Sequence, residues 1–203
     1  MTAAAETTNG ERVDARTIVV SGVKLGLITT VGVAAFALLS RVMDGTVEMV
    51  VQSALLLAGG VVFAFLPALW TRPSTGDGIA WASLVGLLGA LVFTVFDTAL
   101  LRPFDLYHWT WDQIGGGSGF WYIPVWWMGS AFLAWLGSWI WAASAANAAP
   151  SLGRAAAVTV AIGLVLFGLL AVTVAPATSA VMALAFTLAL VVHVPVAVMR
   201  ARR

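Results

Sequence analysis

Six long apolar stretches constrain this chain more than any other feature. They cover residues 17–39, 47–70, 79–101, 120–143, 155–174 and 180–199. A bilayer's hydrocarbon core, about 30 Å thick, is crossed by roughly 20 residues of helix. Lipid offers the backbone no water, so a spanning segment has to satisfy its own N–H and C=O groups, and a helix does this. Membrane β-strands would alternate apolar and polar residues in segments of about ten, and no segment here does. The separators carry turn formers and charge: Arg41-Val-Met-Asp-Gly45, Thr71-Arg-Pro-Ser-Thr-Gly-Asp-Gly78, residues 147–153 and Ala175-Pro-Ala-Thr-Ser179. The expected fold class is all-α, a polytopic membrane protein built as a bundle of six transmembrane helices. Residues 1–16 would be a polar tail and 17–203 a single transmembrane domain.

Composition closes the alternatives. Hydrophobic residues make up 61% of the chain and charged ones 9%, against about 25% charged in a soluble domain. That excludes a soluble globular domain and a disordered chain. A net charge of +1 without a basic face excludes a nucleic-acid partner. With no cysteine, thiolate catalysis, disulfides and iron–sulfur clusters are excluded too. The first 16 residues include Glu6, Glu11 and Asp14, and the apolar run after them exceeds the roughly 7–15 residues of a signal-peptide core. The first helix is therefore expected to stay in the mature protein.

Positive charge predicts the orientation, because Lys and Arg accumulate on the cytoplasmic side. If the helices alternate, one side holds Arg12, Arg16, Lys24, Arg72, Arg154, Arg200, Arg202 and Arg203, eight of the ten, and the other only Arg41 and Arg102. Both termini are then expected to be cytoplasmic, and the even helix count agrees by putting them on the same side.

Residues 102–141 hold eight of the ten tryptophans and both tyrosines. For the loop residues and for Trp121 and Tyr122, the ordinary reading is an interfacial aromatic belt. Deeper in the fourth helix, Trp127, Trp135 and Trp139 recur at helical spacing and share a face. Beside them Ser130, Ala134, Ser138 and Ala142 form a small-residue stripe of the kind that lets another helix, or a partner protein, approach closely. The tryptophans either fill the bundle or wall a cavity for a rigid apolar ligand.

Polar groups at membrane depth are costly and mark candidate sites. Lys24 lies about two turns, roughly 12 Å, from Arg16 and can snorkel to the cytoplasmic interface. His193 reads as a neutral histidine hydrogen-bonded between helices. Asp97, one turn inside the outer end of the third helix, has Thr94, Thr98 and Arg102 close in sequence and Asp105, His108 and Asp112 in the loop beyond. One histidine with scattered aspartates is not a metal-ligand pattern. No phosphate-binding loop, nucleophile elbow or acidic midplane pair is present, so no cofactor or metal is expected and transport is disfavoured.

Short patches resemble the Insig family of sterol- and lipid-sensing membrane proteins. Ala80-Trp-Ala-Ser83 is similar to that family's Trp-Ser entry into helix 3. Leu136-Gly-Ser-Trp-Ile-Trp141 followed by Ser151-Leu-Gly153 resembles its helix-4 end and the turn into helix 5. The family's helix-2 Trp-Trp-Val-Pro-Pro has its nearest counterpart in Tyr122-Ile-Pro-Val-Trp-Trp127, on helix 4. The resemblance implies a non-catalytic six-helix bundle whose partner is a membrane lipid, diacylglycerol- or sterol-like. In this chain Gln52, Phe93, Asp97, Trp127 and Trp135 would line the cavity, Asp97 or Gln52 taking the ligand's polar head. A homo-oligomer is also expected, from apolar stripes facing outward. The aromatic loop and fourth helix also look like the small membrane lycopene cyclases, although the Pro-x-Glu-Glu acid motif is absent. The alternative expectation is thus an isoprenoid- or lipid-modifying enzyme using Asp97, Asp105, His108 and Asp112.

Overall fold

The computed structural model describes residues 13–104, 106, 122–145, 151–174 and 177–201. Its helices are α1 (Ala15–Leu39), α2 (Gly45–Thr71), α3 (Gly76–Phe96), α4 (Tyr122–Ala145), α5 (Leu152–Thr173) and α6 (Ser179–Ala201). A π-helical turn, Asp97–Leu101, continues α3 without a break. All six expected helices are present, and most begin or end a few residues beyond the apolar run. Polar caps account for some of the extensions: the Thr75 side chain accepts from Gly78 N–H and that of Ser151 from Arg154 N–H. Both satisfy amides that a helix start leaves without an internal acceptor.

Five helices are long and apolar enough to cross a membrane: α1, α2, α3 with its π turn, α5 and α6. The exception is α4, whose 24 residues include Trp126, Trp127, Trp135, Trp139 and Trp141 with several Ser and Gly. These lower its hydropathy although the helix carries no charge. At about 1.5 Å per residue it is nonetheless long enough to span. It packs against α2, α3 and α6, while α2 touches all five other helices, α1 lies mainly on α3, and α5 mainly on α6.

The distribution of side chains is that of a bundle built for lipid. Large apolar residues face outward on every helix, among them Val31, Val50, Val95, Met128, Val165, Leu169 and Leu184. Small ones turn inward: Ala64, Ala68, Ala82, Ala134, Ser138, Ala185 and Ala189 are all buried. A soluble protein does not expose apolar surface this continuously. Between transmembrane helices, where lipid removes the hydrophobic drive, close approach of small residues supplies the packing. A methyl group added at Gly86 of α3 would lie 2.6 Å from Ala134 Cβ and 2.8 Å from the Ser130 carbonyl of α4. One added at Gly137 would collide with the Ala64 backbone of α2.

The small-residue stripe of α4 therefore has partners within the chain. Ser130, Ala134 and Ser138 are buried, with α3 seated on the first two, and this corrects the expectation that the stripe marks where another protein would pack. Ser83 Oγ adds a 2.9 Å hydrogen bond from α3 to the Ala131 carbonyl.

Candidate functional site

Two places in the bundle gather the chemistry that the sequence singles out, and they lie at opposite ends. The first is where α3 meets the start of α4. Phe93 is buried and meets the Trp126 ring at 5.8 Å, tilted by 59°. Trp127 Nε1–H donates to Thr94 Oγ1 at 3.1 Å, and the Thr94 hydroxyl in turn donates to the Ala90 carbonyl at 2.8 Å. One turn on, Asp97 is fully buried, its carboxylate 3.5 Å from Arg102 Nε.

The π turn explains this pairing. Arg102 N–H bonds to the Asp97 carbonyl, five residues back, at 2.9 Å. The widened turn shifts the following side chains by part of a turn relative to an α-helix, bringing the Arg102 guanidinium round to Asp97. Such bulges recur at functional positions. Here it serves a buried charge that would otherwise be severely penalised.

Of the five residues expected to wall one cavity, Phe93, Asp97 and Trp127 lie on neighbouring turns of α3 and α4, each with a different partner: Trp126, Arg102 and Thr94. Gln52 and Trp135 lie elsewhere. Gln52 Nε2 donates to Ser40 Oγ at 2.9 Å and to Glu48 Oε1 at 2.7 Å, tying the start of α2 to the end of α1. Trp135 is 40% exposed on the outer surface of α4, stacked on Phe132 at 6.0 Å. Helical spacing puts Trp127, Trp135 and Trp139 on one side of α4, but α4 has neighbours on several sides, so that shared side runs from interior to surface. Asp105, His108 and Asp112, the other members of the enzymatic constellation, lie outside the described residues.

The second place is the other end of the bundle. A cavity of about 340 Å³ opens there between the start of α3 and the ends of α4 and α6. Thr75 and Gly76 form its rim, and Ile79, Ala142 and Val198 its apolar wall, with Trp139 beside them. Trp139 Nε1 is buried and has no hydrogen-bond partner among the described residues. Its ring is held edge-on against Trp135 at 6.3 Å and 81°. Sequence spacing marks Trp139 as part of an aromatic face, but its cavity depends on α6 arriving beside α4, which no local pattern encodes.

The remaining polar groups at depth are engaged or face outward. His193 of α6 is buried, its Nδ1 2.8 Å from Thr159 Oγ1 of α5, and Thr159 Oγ1 is also 3.0 Å from the Ala155 carbonyl. This is the interhelical histidine that the sequence suggests. Lys24 is exposed on α1. Among the described residues no group of three or more potential metal ligands is found.

Fold and side-chain distribution together define an all-helical protein with the character of an integral membrane protein. No protein-family model, curated protein or solved structure matches the chain.

Proposed function

We propose that the chain is a non-catalytic integral membrane protein that holds a lipid or sterol-like ligand in an intramembrane cavity. On this reading all six helices span the bilayer, with both termini on the cytoplasmic side. The central place of α4, packed among three helices apolar enough to cross, supports its spanning as well. The observation that carries the binding reading is the cavity between the start of α3 and the ends of α4 and α6, whose mostly apolar lining includes Trp139. Ligand sites have this form, mostly apolar with a few convergent polar groups, and volumes of about 300–1,000 Å³. The resemblance to lipid-sensing Insig proteins points the same way. The site is moved, however, from the Phe93–Asp97 end to the Trp139 end, because Asp97 is occupied by Arg102 and Gln52 by Ser40 and Glu48.

The test is native mass spectrometry of the full chain released from gentle detergent. A retained lipid or sterol at defined stoichiometry is the expected result. A bare polypeptide at every activation energy that preserves the fold would overturn the reading.

A further inference from the structure

Lys24 stands on the outer face of α1 among the exposed side chains of Val20, Val23, Leu27 and Ile28. Its spacing from Arg16 suggests a lysine within reach of the cytoplasmic interface, but the packing of α1 on α3 puts it deeper. A Cβ added at Gly22 would lie 2.6 Å from Leu88 Cβ, and one added at Gly26 would lie 2.5 Å from Val92 Cβ. Leu25 fills the space beside Gly89. Lys24, between these contacts, is level with about Ala90, the midpoint of the apolar run 79–101. Contacts with α4 put the middle of the bundle within about a turn of the same height. There Gly86 meets Ser130 and Ala134, which bracket the midpoint of 120–143.

An ammonium at that depth is about 15 Å from either edge of the hydrocarbon core. The four-carbon stem of lysine covers less than half of that, so snorkelling does not reach the phosphates. Charged side chains inside membranes usually face the bundle interior and pair there. Lys24 faces outward instead, and among the described residues no carboxylate pairs with it. A second copy of the chain does not supply one from its described acids. Asp97 is buried, and Asp14, Asp44, Glu48 and Asp77 stand at or just before helix starts. A two-fold pair formed through this face would set lysine against lysine.

We infer that the outer face of α1 docks a transmembrane helix of another protein, one that carries an Asp or Glu near its own midpoint, opposite Lys24. Val20, Val23, Leu27 and Ile28 supply the apolar contact around the ion pair, and the low dielectric there strengthens the attraction between the charges. Of the proposed function, only the spanning of α1 and α3 is needed; the cavity plays no part.

Two measurements on the full chain test this. Because the sequence has no cysteine, Lys24→Cys can carry a single fluorophore whose depth is read by brominated-lipid quenching in phosphatidylcholine vesicles. A label near the bilayer centre is expected. A label at headgroup depth would overturn the inference and the spanning of α1 together, since residues 24–39 rise only about 23 Å, less than the core they would have to cross. The second measurement co-reconstitutes the chain with a synthetic leucine-rich transmembrane helix bearing Asp or Leu at its centre and reads association by energy transfer. Wild type is expected to bind the Asp helix about five- to thirtyfold better than the Leu helix, the range of interhelical polar contacts in membranes. Lys24→Met should lose that preference, and Lys24→Asp should gain one for a helix with a central Lys. Equal binding of the Asp and Leu helices by wild type, or a preference that survives Lys24→Met, would overturn the inference and leave the bundle and its cavity untouched. Lys24-dependent self-association, or Lys24-dependent retention of phosphatidylglycerol, in place of helix binding would overturn it too, by making a second copy or a lipid the occupant.

Discussion

The polar residues of this chain differ in how they survive at membrane depth, and each difference has a measurable consequence. Thr159 has one hydroxyl proton and two neighbours, the Ala155 carbonyl and His193 Nδ1. Whichever takes that proton, the pair couples α5 to α6 without a charge. Thr159→Val leaves His193 Nδ1 buried without its partner and should lower stability by about 1 kcal/mol, in line with interhelical hydrogen bonds in membranes. Thr159→Ser should retain most of it, and thermal unfolding in detergent followed by circular dichroism reads both. Asp97 and Arg102 are asymmetric. Asp97 is fully buried, whereas the Arg102 side chain is 27% exposed. Removing the arginine takes the counter-charge from a buried carboxylate, while neutralising the aspartate affects a guanidinium that already reaches the surface. Arg102→Leu should therefore cost about 3 kcal/mol and Asp97→Asn nearer 1 kcal/mol, measured the same way. Equal losses would show that the ion pair is not what holds the π turn.

Between helices, size matters more than hydrophobicity. The sequence marks Ser130, Ala134, Ser138 and Ala142 as a stripe on α4, and the stripe is real. What covers it is decided by Gly86 of α3, and a neighbouring position, Gly137, meets the Ala64 backbone of α2. Side chains cannot be added at these contacts without moving a helix. Ala134→Leu and Gly137→Val should each cost about 2–3 kcal/mol through overpacking, seen as lower thermal stability and a smaller folded fraction on a sizing column. Were the stripe an intermolecular surface, Ala134→Leu would change the oligomer and leave monomer stability intact. The boundaries of α2 and α3 were only roughly legible in the sequence. Pro67 sits inside α2, buried, and the helix runs past it, as membrane helices can where their surroundings tolerate the lost backbone bond. The π turn after Phe96 was not read from the sequence, although Asp97 and Arg102, the pair it brings together, stand five residues apart.

The molecule as a whole can be tested for topology without background, since it has no cysteine. Ser74, between α2 and α3, and Ala177, before α6, both stand at exposed positions and suit single cysteines. If all six helices span and the Arg-rich end is cytoplasmic, a membrane-impermeant maleimide should label Ala177→Cys in intact cells. Ser74→Cys should react only after permeabilisation. Labelling of both from one side would mean that α3, α4 and α5 do not all cross, and α4 would be the first suspect.

The division between sequence and tertiary structure follows from the range of the forces involved. Apolar run length and the scarcity of charge determine the solvent, the helices and their number, because a backbone in lipid must bond within its own segment. Those properties are local, so they are written in 17–39 and its five successors. The meeting points of the helices are not local. Where α3 meets α4, Phe93 packs on Trp126 and Trp127 bonds Thr94, while Asp97, a turn on, is taken by Arg102. Gln52 and Trp135 were expected with them, but Ser40 and Glu48 hold the first, and the second faces out beside Phe132. Only the packing of α6 beside α4 gives Trp139 a cavity. The sequence alone determined that this chain lives in a membrane. Which tryptophan lines a cavity was settled by which helices meet beside it.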